Sequence, residues 1–222
     1  MSGCPYENNP FCRALSPEDR AALCGRCRVF PFKKKIDAQA NCLSVSRKLP
    51  AGESFCTVVL NGMLCTNSSQ NVDSPKAYLL WQPGDIMNTE FIFDSTYDDL
   101  TSSYHHNYIT DGMYALLPGT VLRERFAASP AFAAFLFNSL SHTRLRQTEF
   151  LLSTQLRDAK SALIYLLLFC QEHKLPALTH QDFAYLTGLN RTTVTKMLKK
   201  ILLSEDLDIP LKDYIRSMYA ER

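Results

Sequence analysis

Apolar residues recur with two different periods along this chain of 222 residues, and the changeover divides it. From Phe30 to Leu117 they come in short runs between turn signals: Val58-Val59-Leu60, Met63-Leu64-Cys65, Ala77 to Trp81 and Met113 to Leu117. Pro83-Gly84-Asp85 and Pro118-Gly119 end two of these runs. Short strands with regular turns predict a small antiparallel barrel or roll. Asn61-Gly62, between the first two runs, predicts a two-residue hairpin. After Thr120 the apolar spacing changes to three and four, the period of a helix face.

Five helix starts are marked by the residues at or beside them. Ser16-Pro17-Glu18-Asp19 places a capping serine, a proline in the first turn and a closing acid, and predicts a helix to about Cys27. Pro130 opens a long helix to about Leu156, with Phe132, Leu136, Leu140, Phe150 and Leu151 on its apolar stripe. Thr143 and Gln147 interrupt that stripe, which suits a dimer seam bordering an effector pocket. A single helix lying on the barrel fits the same pattern. Asp158 starts a further helix through Leu163, Leu166, Leu167 and Phe169, and Leu175-Pro176 links it to the last pair. There Thr179 and Asp182 make a capping box, and Asn190 is an N-cap.

That last stretch, Leu178 to Ile201, reads as two short helices with Gly188 at the turn. Phe183, Ala184 and Leu186 line the first, and Val194, Met197, Leu198, Ile201 and Leu202 the second. The opposite face of the second carries Arg191, Thr192, Thr195, Lys196 and Lys199. Such a helix is equipped for a DNA groove: arginine reaches guanine O6 and N7, threonine methyls meet thymine methyls, and lysines meet phosphates. An ordinary amphipathic pair with a solvated basic face has the same periodicity.

Overall charge adds little, at +2. Locally, Arg191, Lys196, Lys199 and Lys200 against the single acid Asp182 give the helix pair +3. The N-terminus MSGCPYENNPFCR is polar and shows no secretory signal, and the longest apolar run, Ala162 to Cys170, is too short to span a bilayer. A cytoplasmic protein with no membrane partner is expected, its eight cysteines serving as thiols, metal ligands or redox groups.

The segment Asp182-Phe183-Ala184-Tyr185-Leu186-Thr187-Gly188-Leu189-Asn190-Arg191-Thr192-Thr193-Val194-Thr195-Lys196 resembles the helix-turn-helix of the Crp/Fnr family of bacterial transcription regulators. Leu60-Asn61-Gly62, Pro83-Gly84-Asp85 and Pro130 are weaker matches, and the resemblance covers nearly the whole chain. It implies an α+β fold: an N-terminal antiparallel β-roll of jelly-roll type, a long dimerisation helix, and a C-terminal winged-helix-like helix-turn-helix. The corresponding domains are residues 1–125, 126–157 and 158–222. It further implies a homodimer on double-stranded DNA at a near-palindromic site, with RNA polymerase as a partner in the case of activation. Phosphate contacts are implied from Thr179, His180 and Gln181, and base contacts from Arg191, Thr192 and Lys196, with Asn190 and Thr193 beside them. No catalytic residue is assigned.

Three positions depart from the family. Thr192 stands where glutamate is frequent, and threonine reads cytosine N4 less well. Lys200 to Pro210 has room for little more than one strand, so the wing is short or missing. Asn88 stands near a common glycine, which predicts a differently shaped loop.

The Crp branch holds a cyclic nucleotide through an arginine. Here no Lys or Arg lies between Lys76 and Arg123, a window that carries Asp85, Glu90, Asp94, Asp98, Asp99 and Asp111. No cyclic-nucleotide binding is expected, because a buried phosphate needs cationic or multiple donors. The Fnr branch holds an iron–sulfur cluster on closely spaced cysteines. Cys4, Cys12, Cys24 and Cys27 have seven, eleven and two residues between successive members. They are candidates for an iron–sulfur cluster, zinc or a redox site, and equally for small core residues. The cofactor is left unknown, with an iron–sulfur cluster or none as the candidates. Adjacent His105 and His106 would point to opposite faces of a strand, for haem or for solvent. Phe91, Phe93, Tyr97, Tyr104 and Tyr108 line an apolar effector site or are plain core. A cupin-like enzyme would need more histidines in the strands. A metal- or thiol-binding protein-interaction module is the remaining alternative.

Overall fold

The computed structural model describes residues 5–34, 54–68, 77–89, 92, 104–155, 157–175, 178–204 and 209–220. Cys4, Glu90, Phe91, Phe93, Asp94, Tyr97, Asp98, Asp99, Leu156 and Pro176 lie outside them. The fold is α+β, with seven strands and eight helices among the described residues. In order these are α1 (Pro10–Ala14), α2 (Pro17–Cys24), β1 (Arg28–Phe32), β2 (Phe55–Asn61), β3 (Leu64–Ser68), β4 (Ala77–Trp81), β5 (Ile86–Met87), β6 (Tyr104–Tyr108) and β7 (Gly112–Pro118). Then follow α3 (Gly119–Ala128), α4 (Pro130–Gln155), α5 (Ala159–Glu172), α6 (His180–Thr187), α7 (Arg191–Leu202) and α8 (Ile209–Ala220). Two compact units emerge, Met1–Thr66 with Leu80–Arg146 and Asn67–Leu79 with Gln147–Arg222.

The strands form two sheets, ordered β1-β7-β2-β5 and β4-β3-β6. In the first, β7 runs antiparallel to both β1 and β2, and β2 antiparallel to β5. Pro31 lies on β1, an edge strand, where proline is tolerated. Strand β2 reads FCTVVLN, and every residue but the last is buried. Its two faces join different cores. Cys56, Val58 and Leu60 meet Phe11, Leu15, Leu23, Val121, Phe132 and Leu136 of the helices. Phe55 and Val59 join Phe32, Leu64, Met87, Tyr108, Tyr114 and Leu116. Burial on both faces explains a continuous apolar run where a half-solvated strand would alternate.

The expected Asn61-Gly62 hairpin is not formed. Strands β2 and β3 belong to different sheets, so the dipeptide is a corner between layers. A type I′ turn needs positive φ at both central residues. Gly62 has φ 78°, but Asn61 is not among the non-glycines at positive φ. A side chain at Gly62 would meet the Asp111 carbonyl oxygen at 2.5 Å, so close approach also selects glycine there.

Asn88 stands where a differently shaped loop is expected. It takes φ 59°, the left-handed conformation a glycine would supply, and its carbonyl accepts from Cys56 Sγ at 3.2 Å. Asparagine is among the non-glycine residues that tolerate that region. Helix α2 stops at Cys24, with Gly25 as C-cap, three residues before its expected end. After α7 no strand occurs among the described residues. Helix α8 follows instead, packed on α5 and α7 through buried Leu211 and Ile215.

Helix α4 differs most from expectation. Phe132 and Leu136 are buried in the helix-covered core of the roll, Leu140 packs against that core, and Phe150 is also buried. The first part of the stripe read as a dimer seam, Phe132 to Leu140, packs on the roll of its own chain, the reading of one helix lying on the barrel. Another side of α4 carries the exposed apolar residues: Phe137 at 57% and Leu145 at 68%, with Leu152 seven residues further along.

Candidate nucleic-acid interface

The helix-turn-helix is assembled by local chemistry. Thr179 caps α6, its hydroxyl accepting from Asp182 N–H, while Asp182 accepts from the Thr179 N–H at 2.8 Å. This box consumes the segment's one acid, and Asp182 is buried. Gly188 turns the chain at φ 68°. Asn190 Oδ1 accepts from Thr193 N–H at 2.8 Å and from the Thr192 hydroxyl at 2.7 Å, which fixes the first turn of α7. Val194, Leu198 and Ile201 are buried against the helices behind, with Phe183, Ala184 and Leu186 of α6 also buried. Helix α5 packs on both α6 and α7.

What remains outside is a cationic ridge. Arg191, Thr192, Lys196, Lys199 and Lys200 are exposed and Thr193 is half-buried, while Thr179, Gln181 and Asn190 are exposed on the approach to it. The N-terminus of α7 adds the positive end of its dipole. Of the residues read as DNA contacts, His180 is placed elsewhere. Its ring is buried, and Nδ1 lies 2.9 Å from Thr195 Oγ1, so it faces α7 rather than solvent. The family resemblance implies a phosphate contact here, but the first turn of α6 points this side chain inward.

The roll places the remaining candidates. Thr143 is buried, and its hydroxyl donates to Asp85 at 3.0 Å. Arg146 donates to the same carboxylate oxygen and forms an ion pair with it. Thr143 therefore holds α4 to the turn before β5, and it lines neither of two cavities, of about 290 and 490 Å³, in this unit. Gln147 lines neither as well; its amide nitrogen is buried with no hydrogen-bond acceptor among the described residues.

Cys12, Cys24 and Cys27 all line the smaller cavity, an apolar space walled also by Leu15, Leu23, Val58 and Leu117. Among the described residues no group of three or more histidine, cysteine or acidic side chains is disposed to hold a metal ion. Cys24 is the last residue of α2, at the negative end of the helix, and Cys27 Sγ donates to the Cys24 carbonyl at 3.5 Å. Cys27 lies beyond the end of α2. His106 is buried, with Nδ1 2.8 Å from Thr66 Oγ1, which also accepts from Trp81 Nε1 at 2.8 Å. It is a tied core histidine rather than a solvated one. Tyr108 is core, stacked on Phe32 with ring centroids 4.6 Å apart.

No family model and no curated protein matches the sequence. Solved structures do. A chain from Eubacterium rectale ATCC 33656 assigned to the crp/fnr family of transcriptional regulators aligns with TM-score 0.60 and 14% identity, over 93% of this chain and 98% of that one. A cyclic nucleotide-binding domain containing protein from Listeria monocytogenes EGD-e aligns with TM-score 0.59 and 12% identity, over 84% and 85%. A CRP/FNR family transcriptional regulator from Thermus thermophilus aligns with TM-score 0.54 and 19% identity, over 86% and 100%. A roll, a long helix and a helix-turn-helix thus define the architecture. The fold is that of the Crp/Fnr regulators. No helix among the described residues is long and apolar enough to cross a membrane.

Proposed function

We propose that this chain is a sequence-specific DNA-binding transcription regulator of the Crp/Fnr type. It works as a homodimer on a near-palindromic operator and has no catalytic role. The observation that carries this is the division of α7: one face buried on α5 and α6, the other presenting Arg191, Thr192 and Lys196 with the local acid withdrawn into a cap. Thr179, Gln181, Asn190 and Thr193 supply backbone contacts at its start. Exposed Phe137 and Leu145, about two turns apart on α4, supply the apolar surface for the second copy. RNA polymerase is the further partner where the protein activates, and the cytoplasm is where it meets both.

The test is a mobility shift on a duplex selected from a random pool, with excess random competitor. Specific complexes survive the competitor and weaken steeply with salt; a protein that prefers no duplex ends this reading. The effector is other than a cyclic nucleotide: the sequence from 77 to 122 carries no lysine or arginine for a phosphate, and Arg146, which reaches the roll from α4, is already paired with Asp85. The buried amide of Gln147 is a candidate contact for it. Calorimetry with cyclic AMP should show no heat at micromolar concentrations.

A cysteine-based sensor is the second reading, because three of the four candidate thiols share one cavity wall. An iron–sulfur or zinc form would show as metal or brown absorbance in protein purified without oxygen. Metal-free, colourless protein removes it.

A further inference from the structure

Inside the helix-turn-helix, three polar groups form a chain that ends on the first residue of α7. The Thr195 hydroxyl donates to the Arg191 carbonyl at 2.9 Å. A hydroxyl has one proton, so with that proton committed Thr195 can only accept from a neighbour. Its neighbour is His180, 2% exposed, with Nδ1 at 2.9 Å. With the hydroxyl proton on the Arg191 carbonyl, the matching tautomer carries its proton on Nδ1, and the chain runs from His180 N–H to Thr195 O–H to the carbonyl of Arg191.

This chain does something the apolar seam cannot. Val194, Leu198 and Phe183 are buried, but burial is non-directional. A hydrogen bond is short and angular, and fixes the rotation of α7 about its axis. Arg191 and Lys196 flank Thr195 on α7, so the rotation sets the direction in which both leave the helix.

We propose that His180 is a positioning residue of the recognition helix: through Thr195 it aims Arg191 and Lys196, and it touches no phosphate. The role rests on the DNA reading above. It also gives Thr195 a part in specificity, although its hydroxyl makes no base contact.

The test uses the full chain and a duplex selected by the wild type. Affinity for that duplex and for a random one is measured across salt for the wild type, His180→Ala, His180→Asn, Thr195→Val and the double variant His180→Ala/Thr195→Val. His180→Ala should weaken the selected duplex about 5- to 30-fold, the size of one lost buried hydrogen bond. Binding to the random duplex and the salt slope should stay as in the wild type. Thr195→Val should match it, and the double variant should be no worse than either single one. His180→Asn, whose amide nitrogen falls near the place of Nδ1, should restore most of the loss. A salt slope reduced by about one, with parallel loss on the random duplex, would mean a phosphate contact and overturn the proposal. Additive single effects, or an unaffected His180→Ala, overturn it equally. Should His180→Ala unfold, Thr195→Val and His180→Asn carry the comparison. A wild type that selects no duplex ends the DNA reading and this role together, whereas the other failures end this role alone.

Discussion

Arg146 on α4 is ion-paired with Asp85, whose side chain is only 4% exposed. Thr143 donates to the same carboxylate oxygen, and the Gln82 N–H donates to the other at 2.9 Å. The acid that follows Pro83-Gly84 thus holds the long helix to the roll. Removing either member leaves the other short of a partner. Arg146→Ala should cost about 1–2 kcal/mol of stability, since the arginine is itself about a third exposed. Asp85→Ala should cost more, about 2–4 kcal/mol, because three donors lose their acceptor. Urea denaturation of both variants measures this. Equal, negligible losses would show that the pair does not anchor α4.

That pair also shows what was legible in the sequence. Cap chemistry reads over three or four residues, and Ser16, Asp158, Thr179 and Asn190 all cap as expected. The acids of the roll were read against cations in the same window, yet Asp85 finds Arg146 61 residues downstream and Asp111 finds Lys33 78 residues upstream. Asn61-Gly62 failed for a related reason. A dipeptide specifies a tight turn but not whether the strands it joins pair or part. Helix α4 has apolar residues on two sides, and periodicity cannot say which side its own chain covers. His180 sits where α6 begins, and the direction of its ring depends on Thr195, fifteen residues away.

Alkali should loosen the protein through two buried acids. Burial pushes the Cys170 thiol up to about 12 from its ordinary 9.0, and Tyr114 up to about 12 from 10.0. Raised folded-state values mean the unfolded chain ionises first. The stabilisation is complete below the unfolded values and is lost as pH rises through the folded ones. For Cys170 the window runs from about pH 9 to about 12, and for Tyr114 it opens about one unit higher. Urea midpoints should fall across that range, and Tyr114→Phe should flatten the upper part. A flat profile from pH 8 to 11 in the wild type would contradict it. Native Cys170 should also resist alkylation at pH 8.5 while exposed Cys24 reacts.

The two sides of α4 should separate stability from assembly. Leu136 is fully buried in the roll, so Leu136→Ala should cost about 2–5 kcal/mol and leave the stoichiometry of folded protein unchanged. Leu145 is exposed, so Leu145→Glu should leave the unfolding midpoint of the subunit near the wild type and shift sedimentation towards monomer. Operator affinity should fall with it, because two half-sites bound independently lose the gain of linkage. A Leu145→Glu protein that sediments as the wild type would place the dimer contact elsewhere.

Arg191 is the most exposed commitment of the DNA reading. It is the first residue of α7, on a turn fixed by Asn190, and its guanidinium can meet guanine O6 and N7 as a fork. Thr192 beside it has its hydroxyl proton on Asn190, which leaves its methyl and its lone pairs to meet a base. Arg191→Ala should therefore cost about 1–3 kcal/mol on the selected duplex and relax preference at one position of each half-site. Lys199→Ala, further along α7, should weaken all duplexes alike and reduce the salt slope. Selection from a random pool with each variant, beside equilibrium titrations, distinguishes the two. If Arg191→Ala selects the same sequence with the same affinity, the fork to guanine is not made, and the reading of α7 as the recognition element fails with it.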